Sequence, residues 1–341
     1  MIQTIGIVSL SRGLLGEAFM EHELQLGLER LAAMGLRVKF LPHARMGLEY
    51  LKNHPEDRAA DLLEAFRDPE IDLILCAIGG DDTYRLAPYL FRDGALERAV
   101  CKKPFLGFSD TTLNHLMLHK MGLPTFYGQA FLPDVCELDQ DMLPYTRRYF
   151  EALIATGRIA RVTPSNCWYD SRSDFGSDQL GVPMPSHPNE GFVRLRGPAR
   201  FRGKILGGCI DSLLDMFDPG RYADMPEICR EYGLFPSDWR GKILLLESSE
   251  EKMPPETYRR ALTYLKQAGV FDQVSGILVG QPMDRTWQAE YHRILLETVE
   301  NPDLPILANV NIGHSAPRCI LPFGVDAAVD AERQTIDFTY E

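Results

Sequence analysis

From the N-terminus to about residue 130, short β-rich runs alternate with longer stretches of helical periodicity, and this alternation sets the class of fold. Ile5 to Ser9, Val38 to Leu41, Ile71 to Ile78 and Pro104 to Phe108 are predicted strands. Between them, Leu24, Leu28 and Leu31 share one helical face, as do Leu62, Ala65 and Phe66. Such β-α-β order implies a mostly parallel sheet covered by helices, because parallel neighbours need crossover connections and bury both faces.

The pattern breaks between residues 163 and 200, where Pro164, Pro183, Pro185, Pro188 and Pro198 surround the aromatic pair Trp168-Tyr169. That stretch is expected to be a linker or an active-site loop. Regularity resumes at Lys204, with buried strands at Lys242 to Leu246, Gly276 to Val279 and Ile306 to Val310, and helices near 255–268 and 287–299. Short alternating runs from Cys319 to Phe338 suggest terminal antiparallel strands. At 341 residues the chain exceeds the usual size of one core. The expected organisation is an N-terminal parallel-sheet α/β domain over 1–162, a linker and active-site loop over 163–200, and a C-terminal α/β domain over 201–341.

A formal net charge of -12, with no basic run longer than Lys102-Lys103, argues against a nucleic-acid partner, whose phosphates need clustered Lys and Arg. A small molecule is the expected partner. Seven cysteines in odd number, without a C-x-x-C pair, suggest neither a disulfide framework nor a zinc cluster, and fit a reducing cytoplasm. The N-terminus lacks a basic region followed by a long apolar one, and no apolar run approaches the ~18 residues of a membrane span. Neither export nor a membrane partner is expected.

The segment richest in chemistry is Phe105-Leu106-Gly107-Phe108-Ser109-Asp110-Thr111-Thr112, an apolar strand running through Gly-x-Ser into the helical pattern Leu113 to Met121. A serine at such a strand-to-helix bend projects from the carboxyl edge of a sheet, beside N–H groups at a helix N-terminus. Ser109 is therefore a candidate nucleophile. Thr111 stands where the G-x-S-x-G pattern has its last glycine, and Ser109 or Asp110 could equally cap the helix.

A nucleophilic serine needs a base, and the base needs an orienting group. His314 stands out because it follows a strand within the Gly/Pro-punctuated loop Asn311-Ile312-Gly313-His314-Ser315-Ala316-Pro317. His115 and His119 have metal-ligand spacing but lack the Glu of H-E-x-x-H, so a surface or core pair explains them better. Glu247 ends the strand Ile243 to Leu246 at the edge where α/β sites are built. A solvated turn is its alternative, and suits the following Glu250 and Glu251 better still. Gly79 and Gly80, after the strand Leu73 to Ile78, allow a sharp turn whose N–H groups approach a ligand or an oxyanion, unless the turn is merely structural.

Taken together, Gly79-Gly80-Asp81-Asp82-Thr83-Tyr84-Arg85, Gly107-Phe108-Ser109-Asp110-Thr111-Thr112, Leu245-Leu246-Glu247 and Asn311 to Pro317 resemble the serine LD-carboxypeptidase family, which includes the microcin C immunity proteins. Ile205 to Cys209 and Gly276 to Gly280 extend the likeness over nearly the whole chain. The resemblance implies a Ser109, Glu247, His314 triad, oxyanion donors at the backbone of Gly80 and Asp110, no metal or organic cofactor, and a homodimer. Asn166 to Asp170 and the following loop are more similar to the immunity-protein branch, which implies that Trp168 stacks on the nucleobase of an aminoacyl-nucleotide substrate. Two other readings stay open: a murein tetrapeptide LD-carboxypeptidase, and a non-catalytic nucleotide-binding α/β protein.

Overall fold

The computed structural model describes residues 1–340, in which two sheets carry almost all of the strands. The first contains β1 (Thr4–Val8), β2 (Arg37–Phe40), β3 (Leu73–Cys76), β4 (Phe105–Gly107) and β5 (Thr125–Tyr127) in the order β5-β4-β3-β1-β2, all parallel. Every residue of β1, β3, β4 and β5 is buried, as a parallel strand with helices on both faces requires. The helix Glu21–Ala33 follows β1, Pro55–Arg67 precedes β3 and Thr112–Lys120 joins β4 to β5.

The second sheet has β6 (Arg161–Val162), β9 (Val193–Arg196), β10 (Arg200–Cys209), β11 (Lys242–Glu247), β12 (Gly276–Gly280), β13 (Ile306–Val310), β15 (Asp326–Asp330) and β16 (Thr335–Thr339). Its centre, β10-β11-β12-β13, is parallel, whereas β15, β16, β6 and β9 run antiparallel to their neighbours. The fold is thus mixed α/β, with a parallel N-terminal sheet and antiparallel terminal strands.

The sheets do not follow a linear division of the chain. β14 (Leu321–Phe323) leaves the C-terminal part and pairs antiparallel with β5, while β6 sits at the edge of the second sheet. A cut at 162 or at 201 would therefore break one sheet or the other. The expected loop over 163–200 also contains structure: β7 (Cys167–Tyr169) and β8 (Ser186–Pro188) form a separate hairpin, and β9 pairs with β13. Among the described residues no helix is long and apolar enough to cross a membrane.

Phe323 shows what the returning strand contributes: it is 2% exposed and stacks on Tyr127 with ring centroids 5.0 Å apart. Truncation to alanine removes a buried aromatic ring from a packed junction. Phe323→Ala is expected to lower unfolding free energy by about 3–5 kcal/mol, read as a shift in the denaturation midpoint at unchanged slope.

Candidate active site

Ser109 stands between β4 and the helix Thr112–Lys120, at the start of the tight turn Ser109–Thr111. Its φ of +66° is left-handed, a conformation that costs a non-glycine residue about 1–2 kcal/mol and persists where its surroundings over-determine it. Here the Ser109 N–H donates to the Tyr127 hydroxyl at 3.1 Å, and the Thr111 hydroxyl donates to the Phe108 carbonyl at 2.7 Å. The bend exposes the hydroxyl to the second half of the chain.

Glu247 terminates β11 and is 2% exposed. His314 lies in the loop after β13 and joins the two: Nδ1 is 2.8 Å from Glu247 Oε2, and Nε2 is 2.9 Å from Ser109 Oγ. The remaining Glu247 oxygen, Oε1, accepts from the Tyr127 hydroxyl at 2.6 Å. Both oxygens of a buried carboxylate are thereby paired, the condition for leaving its charge in the interior. Gly313 makes the approach possible: its φ is +91°, and a Cβ there would meet Glu247 Oε2 at 2.3 Å.

Glu250 departs from the solvated turn expected for it. Although its side chain is 52% exposed, Oε2 lies 3.1 Å from His314 Nε2, the nitrogen that also faces Ser109. Burial lowers the affinity of His314 for a proton, but Glu247 and Glu250 outweigh it and push the imidazole up to about 10. The same contact, against the opposing effect of burial, draws Glu250 down to about 2. Only one proton is available on Nε2, so Glu250 favours the imidazolium, while a Ser109 hydroxyl donating to Nε2 requires the neutral ring. The loop is braced: Asp211 accepts from the Ser249 N–H and hydroxyl at 3.0 and 2.8 Å, and Lys252 pairs with Asp284 at 2.6 Å.

The turn after β3 comes within contact of Ser109, since a Cβ on Gly79 would lie 2.5 Å from the serine Cβ. Asp110 holds that turn: its carboxyl accepts from the Ser11 hydroxyl at 2.5 Å and the Thr83 N–H at 3.0 Å. Burial, with those two bonds opposing it, pushes Asp110 up to about 6. The backbone N–H groups of Gly80 and Asp110 have no protein acceptor among the described residues. Next to this turn Asp81 gathers Arg12 at 2.6 Å and Arg221 at 2.7 Å, beside a cleft of about 630 Å³.

Cys209 Sγ, Glu247 and His314 cluster closely enough to hold a metal ion. Burial and the nearby Glu247 push the Cys209 thiol well above its ordinary value. His115 is a core residue, donating and accepting between Thr125 Oγ1 at 2.7 Å and the Gly107 carbonyl at 3.1 Å; burial pushes it down to about 3.

Trp168 stands on the β7–β8 hairpin, with His187 stacked on the indole at 4.3 Å and the Arg285 guanidinium 4.9 Å from it. Its neighbour Tyr169 donates its N–H to the Ala316 carbonyl at 3.0 Å, which ties the hairpin to the His314 loop. Tyr169, rather than Trp168, lines a cavity of about 120 Å³ bordered by His314, with Arg318 and Glu23. Sequence reasoning passed over Tyr127 and Glu23, and assigned Glu250 to a solvated turn. Tyr127 ends a strand beside the one that carries Ser109, the only signal that could have singled it out.

The chain belongs to the LD-carboxypeptidase family: the family's N-terminal domain matches residues 5–128 and its C-terminal domain residues 202–329. Among solved structures it is similar to an MccF-like protein from Streptococcus pneumoniae in complex with AMP, at 56% identity and a TM-score of 0.98, covering 100% of this chain and 99% of that one. Among curated relatives it is 27% identical to the microcin C7 self-immunity protein MccF of Escherichia coli, over 83% of this chain and 78% of that protein. It is 28% identical to a probable murein peptide carboxypeptidase of Bacillus subtilis, over 89% and 83% respectively.

The paired acids on His314 set a titration. Its folded affinity for a proton lies above the unfolded one, so the stability this contributes is complete below about pH 6.5 and is lost as pH rises through about 10. Glu250→Gln removes one acid, so the imidazole proton should leave at lower pH, and the decline in stability, still beginning near pH 6.5, should end earlier and be smaller. Titration of His314 by nitrogen-15 NMR in both proteins checks this, and an unchanged midpoint counts against the Glu250 contact.

Proposed function

We propose that the chain is a serine hydrolase that cleaves an amide bond near the carboxyl end of a small peptide or an aminoacyl nucleotide, with microcin C-like substrates as the first choice. The observation that carries this reading is the continuous path Ser109 Oγ, His314 Nε2, His314 Nδ1, Glu247 Oε2, with contacts of 2.9 and 2.8 Å. Each residue of that path has the chemistry its step needs.

His314 Nε2, once freed of its proton, takes the Ser109 hydroxyl proton as Oγ bonds to the scissile carbonyl carbon. Glu247 holds the ring by Nδ1 and balances the charge of the imidazolium. The oxyanion falls to the unengaged N–H groups of Gly80 and Asp110, which sit on the two turns that meet at Ser109. His314 then protonates the leaving nitrogen as the C–N bond breaks, and a water, deprotonated in turn by His314, releases the acyl group from Ser109. Gly79 lets substrate pass close to the nucleophile.

The nucleotide arm draws on the AMP held by the pneumococcal relative, and on a solved structure of microcin C7 self-immunity protein in complex with aspartyl sulfamoyl adenosine. Trp168 offers the aromatic face for a base, which would share the indole with Arg285 or take the place of His187. A homodimer in a reducing cytoplasm belongs to the same reading, and seven free cysteines accord with that compartment. The second arm, a murein tetrapeptide carboxypeptidase, rests on the likeness to the Bacillus subtilis relative.

Purified protein is offered aspartyl sulfamoyl adenosine and, separately, a murein tetrapeptide, with release of Asp or D-Ala followed by mass spectrometry. One of the two should be cleaved, and Ser109→Ala should lower kcat/KM by at least ~10³-fold. Full activity in Ser109→Ala would exclude the mechanism; AMP binding with neither substrate cleaved would favour a non-catalytic nucleotide-binding protein.

A further inference from the structure

Glu23, on the helix Glu21–Ala33, is 4% exposed, and its Oε1 has no hydrogen-bond partner among the described residues. It lines the cavity of about 120 Å³ that His314 borders. Of the other charged residues that line it, Glu137 pairs with Arg172 at 2.8 Å, and Arg318 pairs with Asp134 behind the wall at 2.9 Å. Leu132, Leu143, Phe175 and Met184 make the remaining walls apolar. Burial, reinforced by Glu137 and opposed by Arg172, pushes the Glu23 carboxyl up to about 7.

An unsatisfied carboxyl oxygen in an apolar enclosure keeps its full desolvation penalty, and that penalty disappears when a ligand supplies a donor. Cavities of about 150 Å³ take up benzene, so this one of about 120 Å³ admits one side chain or the edge of a ring but no whole nucleotide. Charge and shape together call for an N–H donor on an apolar body.

On the reading of the chain as an amide hydrolase, we propose that this cavity is the substrate's amine subsite, with the Glu23 carboxyl accepting from an N–H borne on an apolar ring or stem. Two parts of an aminoacyl nucleotide have that chemistry: the exocyclic amine of the base, and an ammonium-ended side chain on the acyl residue. The cavity takes one of them, and Glu23 is then a specificity-determining residue close to His314.

The test measures binding by calorimetry to Ser109→Ala protein, so that its result does not depend on cleavage. Two ligand pairs separate the sources: aspartyl sulfamoyl adenosine against aspartyl sulfamoyl inosine, which replaces the amine by a carbonyl, and lysyl against norleucyl sulfamoyl adenosine. In one pair the amine-bearing ligand should bind ~10-fold or more tightly, the size of a charge-assisted hydrogen bond. That ratio should fall to near one when Glu23→Met is added, and part-way with Glu23→Gln, with thermal melts checking that both fold. Equal binding within both pairs overturns the proposal, leaving Glu23 to a buried water. Equal weakening of all four ligands by Glu23→Met overturns it too, because it marks a structural role. If the protein with Ser109 intact cleaves none of the four while the ratio persists, the aminoacyl-nucleotide arm of the hydrolase reading fails and the subsite stands.

Discussion

A carboxylate that must stay charged in the interior organises the junction of the two sheets. Glu247 ends a strand of one sheet, while Tyr127, which donates to it, ends a strand of the other. The same tyrosine hydroxyl accepts the N–H of Ser109 and lies 3.2 Å from Thr112 Oγ1, which in turn accepts the N–H of Cys209. Partial satisfaction of such a network is costlier than an apolar interface, because each orphaned group keeps its full desolvation penalty. The two sheets are therefore locked in one relative position, and the Ser109 to His314 distance follows from that lock rather than from either sheet alone.

A second tier of contacts joins the peripheral segments to this junction. Asp284 accepts from the Ser171 N–H and hydroxyl at 2.8 and 2.7 Å and pairs with Lys252, so one carboxylate links the loop between β7 and β8 to the loop that carries Glu250. The hairpin reaches the His314 loop independently through Tyr169 and Ala316.

Strand positions were legible in the sequence where burial is complete. Ile306 to Val310 matches β13 residue for residue, and Lys242 to Leu246 falls one residue short of β11, because an all-apolar run between polar turns has one stable use in a parallel sheet. β9 was hidden, since an edge strand reading Val-Arg-Leu-Arg is exposed on much of its surface and looks like loop. The pairing of β14 with β5 was also hidden: it is a contact between residues nearly two hundred apart, and local periodicity carries no information about it. At the site, Ser109, Glu247 and His314 were legible because each follows a strand at its carboxyl end. Glu250 and Glu23 were not, since an acid beside water and an acid turned inward have the same letter.

The antiparallel return of β14 also bears on how the chain comes into being. During synthesis the first sheet emerges with β5 as an open edge and stays so until residue 323 has left the ribosome, while Tyr127 waits for Glu247 to accept its hydroxyl. The serine turn and Tyr127, which holds its backbone, are thus translated long before Glu247 and His314. Nascent chains of this protein present an unpaired apolar edge for most of their synthesis, the interval in which a chaperone or a neighbouring chain can bind it.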